Sequence, residues 1–207
     1  MLCNPYYMVI KLVKSWGQSQ LGLIGSDPYF LVQSQPIFNS RSDLIGSPVT
    51  NNEILRRIQH ALNLKNAQII KAYEQADVTV AHDQVNNWLK DEGEKSFSKM
   101  KDKDLAVFLN GFINLKRGKK EGEQPKPEVE LTNNMIFMKL RIALNMKAED
   151  VLDVLEVMGI SLSKYEIGAY FRKPNNKNYK ACDDQLLCDF LNGVQFSNRP
   201  DSEEYSA

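Results

Sequence analysis

The sequence lacks the features that secreted, membrane-spanning or strongly charged proteins share. No apolar run approaches the roughly 20 residues that are needed to cross a bilayer. The 207 residues carry 26 basic and 26 acidic side chains, so no global field steers the chain to nucleic acid or to an anionic membrane. The first lysines lie within and after an apolar stretch, which is the reverse of a secretory signal. We therefore expect a cytoplasmic protein without a membrane partner.

Reactive residue types are also scarce. Cys182 and Cys188 are spaced like neither a disulfide framework nor a zinc knuckle, so both are interpreted as reduced, partly buried small side chains. His60 and His82 have no ligand or carboxylate at a useful spacing. No phosphate loop, dinucleotide fingerprint or nucleophile elbow occurs. We predict no catalytic residue, no metal and no cofactor, and we expect the protein not to be an enzyme.

What the sequence does contain is an internal repeat. The motif Phe-Leu-Asn-Gly at residues 108–111 returns at residues 190–193, 82 residues later, and the same offset extends upstream without a gap. About 15 of roughly 62 aligned pairs are identical, which is several times the level expected by chance. The residues that mark the repeat are Asn51, Asn52, Asn110 and Gly111 in the first copy, and Asn133, Asn134, Asn192 and Gly193 in the second.

Each copy shows four stretches of helical periodicity, so we predict an all-α protein of two tandem four-helix repeats. One repeat of this size is marginal alone, which favours a pseudo-twofold pair with a shared core. The predicted units are residues 49–118 and 132–197, joined by an exposed polar linker with prolines at 119–131. Thr50 and Glu53 predict a capping box at the first helix. Residues 198–207 are expected to be a flexible tail.

Several motifs resemble the bacterial YehS-like family, a domain-of-unknown-function family of about this duplicated length. They are TNNEILRRI, FLNG with KRGK, TNNMIFMKLRIAL and FRKPNNKNYKACDDQLLCDFLNGV, and the resemblance covers residues 50–194. It implies a duplicated, cytoplasmic, all-helical protein and no particular reaction. Family members usually begin just before the Asn-Asn pair, here at Val49, and a GUG start codon would be read as valine. We therefore expect residues 1–48 to be a poorly ordered, over-called extension.

The Asn-Gly pairs permit two interpretations. They could form a polar contact site near the pseudo-twofold axis. The interpretation we favour is that each glycine permits close helix approach and each asparagine satisfies a neighbouring backbone group. The neighbouring Asp183-Asp184 pair could suggest acid–base chemistry, but the alignment of Asp184 with Asp102 before a helix predicts N-capping instead.

The best candidate for a binding site is the loop at residues 172–180, which holds four cations and no acid. Its candidate contact residues are Arg172, Lys173, Asn176, Lys177, Asn178, Tyr179 and Lys180. Such a set could hold phosphates and stack a base. The structural alternative is a solvated loop in which Tyr179 packs into the core like Phe97. The matching loop of the first repeat contains three acids, so the two copies have diverged in charge.

These observations favour a non-enzymatic cytosolic binding or adaptor protein, with an unknown protein partner or self-association. The alternative is a nucleic-acid-associated regulator that uses the basic loop, since residues 148–155 and 163–172 could form a helix–turn–helix. A neutral net charge opposes that alternative, and the local basic cluster supports it.

Overall fold

The computed structural model describes residues 49–198, and these residues form helices and no strand. The expectations for residues 1–48 and 199–207 lie outside the described part of the chain. The first repeat contains α1 (Asn51–Ala61), α2 (Asn66–Gln75), α3 (His82–Leu89) and α4 (Asp102–Arg117). The second contains α5 (Asn133–Ala143), α6 (Ala148–Val157), α7 (Lys164–Tyr170) and α8 (Asp184–Asn198). The predicted all-α fold of two four-helix repeats is confirmed.

The helix boundaries repeat because the residues that start and stop the helices repeat. The hydroxyl oxygens of Thr50 and Thr132 cap α1 and α5 by accepting from the N–H groups three residues on. Asn63 and Asn145 follow the same helices in left-handed conformation, with φ values of 49° and 58°. Asparagine tolerates this conformation at a helix C-terminus better than most residues. The predicted capping box at α1 is only half formed, because the carboxylate of Glu53 accepts from arginines of its own helix.

One hydrophobic cluster draws on both repeats. Within each repeat the second helix packs on the fourth, α2 on α4 and α6 on α8. Between repeats the contacts are reciprocal, because α4 packs on α5 and α8 packs on α1. The predicted pseudo-twofold arrangement is therefore confirmed. The largest fully buried aromatic side chains of the shared core include Phe108 and Phe112 of the first repeat and Phe137 and Phe190 of the second. A shared core explains how repeats of this size become stable.

Glycine sets the close approach between the second and fourth helices. A Cβ added at Gly111 would overlap the carbonyl oxygen of Ala72 on α2, and one added at Gly193 would overlap that of Val154 on α6. Ala72 and Val154 are themselves 82 residues apart, so both copies form the same contact. The favoured interpretation of these two glycines, that they permit close helix packing, is confirmed.

The linker at residues 119–131 is held against the first repeat rather than projecting as a free connector. Asn114 donates its side-chain amide to Gln124 at 3.0 Å, and Asn110 donates to the carbonyl of Pro125 at 3.4 Å. Glu128 forms an ion pair of 2.9 Å with Lys139 of α5. Most linker side chains stay exposed, as expected. The sequence does not show these polar contacts, because their partners Asn110, Asn114 and Lys139 lie on helices of both repeats.

Among residues 49–198, no helix is both long enough and apolar enough to cross a membrane.

Candidate functional site

One buried asparagine in each repeat, at equivalent positions, holds that repeat together through hydrogen bonds. Asn52 donates to the carbonyl oxygens of Trp88 (2.8 Å) and Ser98 (2.9 Å), and its own oxygen accepts from the N–H of Met100 at 2.9 Å. Asn134 repeats this set with the partners Tyr170, Lys180 and Cys182 at 2.8, 2.8 and 2.9 Å. Each amide thereby joins the first helix to both ends of the loop before the last helix. These asparagines are structural, because all three of their bonding groups are occupied by backbone.

The neighbouring asparagines lead to a second duplicated network, which crosses between repeats. Asn51 donates to Asp102 at 2.7 Å, and the other carboxylate oxygen of Asp102 accepts from the N–H of Leu131 at 2.9 Å. In the second copy Asn133 donates to Asp184 at 2.6 Å. The other carboxylate oxygen of Asp184 accepts from the N–H of Val49, at the start of the first repeat, at 3.0 Å. Each carboxylate therefore ties its own first helix to the entry of the other repeat.

This arrangement corrects the capping prediction for the acidic pair. Asp102 and Asp184 are the first residues of α4 and α8, and their carboxylates bind the cross-repeat partners described above. Asp183, not Asp184, accepts the N–H of Leu186 at 2.7 Å, as a capping residue does. Because both carboxylates have structural partners, the acidic pair gains no support as acid–base machinery.

The asparagines of the Phe-Leu-Asn-Gly motifs have different surroundings in the two copies. Asn110 accepts a short hydrogen bond from Lys139 of the other repeat and also contacts the linker. It therefore does lie at the pseudo-twofold interface, and it satisfies a backbone carbonyl as the favoured interpretation required. Among residues 49–198, the side chain of Asn192 has no hydrogen-bond partner. Phe196, which is 41% exposed, replaces Asn114 one turn later.

Hydrogen bonds within its own backbone shape the basic loop of the second repeat, residues 172–180. The N–H of Asn176 donates to the carbonyl of Lys173 at 2.9 Å, and the N–H of Tyr179 donates to the carbonyl of Asn176 at 2.9 Å. The side chain of Asn176 also accepts from the N–H of Asn178 at 2.9 Å, which is an Asx-type turn. The amides of Asn176 and Asn178 therefore shape the loop. Of the predicted contact residues, the cations are the ones left to face a partner.

An exposed tyrosine adds an aromatic group to these cations. Tyr165 on α7 is 61% exposed, and the guanidinium of Arg172 lies 5.0 Å from its ring centroid. Lys180 stands 5.1 Å from the ring of Tyr170, while Lys173 and Lys177 are exposed. We call the set of Tyr165, Arg172, Lys173, Lys177 and Lys180 the basic surface.

Sequence reasoning placed the four cations and missed Tyr165. The available signal was its alignment with Asp83 in the first repeat, one further position at which an acid is replaced by a residue suited to an anionic ligand. Tyr165 also precedes Arg172 by seven residues, or about two helical turns. The pairing across the end of α7 could not be read from that spacing, because Arg172 lies beyond the helix.

Tyr179 resembles Phe97 in its burial, as the structural alternative expected, but neither is fully buried. Tyr179 is half-buried rather than a core residue, and its hydroxyl donates to the side-chain oxygen of Asn134 at 2.9 Å. Phe97 at the equivalent position is also half-buried and carries no hydroxyl. Tyr179 therefore anchors the basic loop to the buried network.

Nearby carboxylates are engaged with other groups. Glu166 forms a capping box with Ser163, whose hydroxyl is 2.7 Å away, and this hydrogen bond lowers the pKa of Glu166. Glu149 pairs with Lys164 at 2.7 Å, which likewise lowers its pKa. Hydrogen bonding to Tyr170 is the main cause that raises the pKa of Lys180, so this lysine stays charged at neutral pH.

The remaining titratable groups show packing rather than reactivity. Cys182 and Cys188 are free thiols, as predicted, and their burial raises their pKa values to about 12 and about 11. A thiol that ionises so late is a poor nucleophile at neutral pH. His60 is half-buried, and His82 is exposed with its Nδ1 3.0 Å from the amide nitrogen of Asn86. The described residues contain no group of three acidic, histidine or cysteine side chains placed to hold a metal ion.

The helix–turn–helix considered from the sequence differs from the observed helices. The first helix continues to Val157, and the second, α7, ends at Tyr170 after seven residues. Seven residues rise only about 10 Å, and Ile167, Ala169 and Tyr170 of α7 are buried. A helix this short offers little length to a major groove, so the loop after α7 is the more accessible part of this region.

Comparisons with known proteins agree with the duplication. Residues 51–118 and 133–199 each match the family described as "Protein of unknown function (DUF1456)". The chain is also similar to a protein of Escherichia coli (strain K12) that is named "Uncharacterized protein YehS". The two are 37% identical over 145 residues, which cover 70% of this chain and 93% of that protein. No solved structure matches the chain.

Proposed function

The chain belongs to the DUF1456 family in both of its halves, and from this premise we propose that it is a non-enzymatic binding protein, or adaptor, that engages an anionic partner through its basic surface. The observation that carries the proposal is the asymmetry between two loops that share one scaffold. Residues 172–180 hold four cations and no acid, whereas residues 90–98 hold three acids and two lysines.

Local charge is what matters here, because the chain as a whole is neutral. Arg172, Lys173, Lys177 and Lys180 form no ion pair with a carboxylate of residues 49–198 within 4.0 Å. By contrast, Asp91 in the first repeat lies 3.2 Å from Arg56. Clustered cations on the basic surface raise the local positive potential, which speeds the encounter with an anion and disfavours cationic partners.

The duplicated networks support a scaffold role for the rest of the molecule. Asn52, Asn134, Asp102 and Asp184 all bind structural groups, and the thiols are buried. Because these groups have structural partners or are buried, they support binding rather than catalysis as the proposed activity.

Retention on immobilised heparin, a polyanion probe, tests the proposal. We expect Lys177→Glu to elute at lower salt than the unchanged protein. The matched control is Lys95→Glu, since Lys95 aligns with Lys177 in the first repeat. Equal losses from the control and from the second-repeat variant would contradict the proposal, and so would a protein that heparin does not retain at low salt.

A further inference from the structure

We propose that the anionic partner is a single-stranded nucleic acid, whose phosphates contact the cations of the basic surface while an unpaired base stacks on Tyr165. This inference rests on the proposed function and adds the chemical class of the ligand. It starts from the exposed aromatic ring, which binding to an acidic protein or to free phosphate does not require.

Tyr165 is the most exposed tyrosine among residues 49–198. Tyr73 and Tyr170 are buried, whereas Tyr165 is 61% exposed. Arg172 lies over its ring at 5.0 Å, so one side of the tyrosine is already covered by a planar cation. The large remaining exposure leaves area for a second planar group, and a base can stack on a tyrosine whatever its identity.

The loop that carries the cations directly follows α7, the helix that carries the ring. Arg172 joins the aromatic contact to the loop, because its guanidinium also donates to the carbonyl of Asn178 at 3.3 Å. Lys173 and Lys177 are exposed on either side of the turn at Asn176, and Lys180 follows beside Tyr170. Proteins that bind single strands combine cations that contact the phosphates with aromatic rings on which the bases stack, and the basic surface offers both kinds of group.

A double-stranded ligand fits less well. Bases in a duplex are stacked and paired, so the exposed ring of Tyr165 reaches them only if the duplex opens. The seven residues of α7 offer too little length for major-groove readout. A ligand with free bases uses both features of the surface, the ring and the cations.

Fluorescence anisotropy with two labelled strands of equal length tests this inference. One strand is a short oligothymidylate, and the other is an abasic strand that keeps the phosphates and lacks the bases. We expect tighter binding of the oligothymidylate. Tyr165→Ala should weaken its binding by roughly tenfold and leave the abasic strand unaffected, since stacking of one base is of this size. Tyr165→Phe, which keeps the ring, should bind like the unchanged protein.

Two controls and one further measurement complete the design. Asp83→Ala changes the residue that aligns with Tyr165 and should leave binding unchanged. Thermal unfolding of Tyr165→Ala should match that of the unchanged protein, because the side chain is exposed. Removing Lys173 and Lys177 together should reduce the slope of log affinity against log salt by about 1.4, at about 0.7 for each single-strand phosphate contact.

The outcomes separate this inference from the proposed function. If both strands bind equally and Tyr165→Ala changes neither, stacking is wrong while the anionic partner stands. If neither strand binds at low salt but heparin still retains the protein, the nucleic acid is wrong and an acidic protein or polyphosphate takes its place. If heparin and both strands all fail, the proposed function and this inference fall together.

Discussion

The loop of the first repeat, residues 90–98, and the loop of the second, residues 172–180, share several backbone hydrogen bonds and differ in their side chains. Gly93 and Ser96 of the first loop have positive φ values of 100° and 70°, which their counterparts in the second loop do not. In both loops, the fifth residue donates its N–H to the carbonyl of the second, at 3.0 and 2.9 Å. In both, the last residue donates to the third helix of its repeat, Ser98 to Asn87 at 3.1 Å and Lys180 to Ala169 at 3.2 Å. Yet one loop carries three acids and the other none.

The buried networks show the opposite behaviour. Asn52 and Asn134 bind backbone groups at matching positions, and so the two copies carry the same residue. An amide that donates twice and accepts once has few substitutes when its partners are backbone groups. The loop side chains face water, where most substitutions change stability by less than about 0.5 kcal/mol. Folding therefore fixes the network and leaves the loop surface open to functional change.

The largest expected effect tests whether the two networks are equivalent. Asn52→Ala and Asn134→Ala should each lower the free energy of unfolding by about 4 kcal/mol, since each loses three hydrogen bonds to backbone groups that then stay unpaired. Asn134→Ala also loses the hydrogen bond from the hydroxyl of Tyr179. Chemical denaturation measures both values. Asn192→Ala is the control, and we expect a change below about 0.5 kcal/mol. A small loss at one buried site alone would break the comparison.

The next effect concerns the glycines at the helix crossings. Gly111→Ala should destabilise the protein by roughly 3 kcal/mol, because an added Cβ overlaps the backbone of α2. Gly193→Ala should cost less, since the carbonyl of Val154 lies farther from the added atom. Gly168→Ala in α7 has open space around it and should be neutral or stabilising by up to about 1 kcal/mol. Denaturation midpoints in the reverse order would contradict the packing account.

A smaller effect is expected at the carboxylates that cross between repeats. Asp102→Ala and Asp184→Ala should each cost about 2 kcal/mol, the typical loss for hydrogen bonds to a charged group. Calorimetry on both variants measures this, with exposed Glu92→Ala as the control. If the two losses differ by more than about 1 kcal/mol, the cross-repeat contacts are not equivalent.

The smallest effect exchanges the two loop aromatics. Tyr179→Phe should lose about 1 kcal/mol, because the hydrogen bond to Asn134 disappears while the ring remains. Phe97→Tyr places a hydroxyl at the matching position and should add up to about 1 kcal/mol through Asn52. Unfolding curves of both variants check the exchange. A gain from Tyr179→Phe would show that the hydroxyl does not anchor the loop.

Most of the fold followed from the sequence, because the 82-residue offset reports helices, caps and apolar stripes together. The helical periodicity predicted helices with one apolar face, and Ile54, Leu105 and Phe190 on such faces are buried. The roles of Asp102 and Asp184 could not be predicted, since their partners lie in the other repeat. The contacts of the linker could not be predicted either, since their partners are also distant in the sequence. Tyr165 was missed because exposure is a property of the packed molecule and not of a helical pattern.

The most direct test of the account is an NMR titration of the isotope-labelled protein with a short inorganic polyphosphate. Each backbone amide reports separately on its own loop, so the two repeats are compared in one sample. We predict that chemical-shift changes concentrate at residues 164–180 and leave residues 90–98 unchanged. Equal changes in both loops, changes confined to the first repeat, or no change at low salt would contradict the claim that the second repeat carries the binding surface.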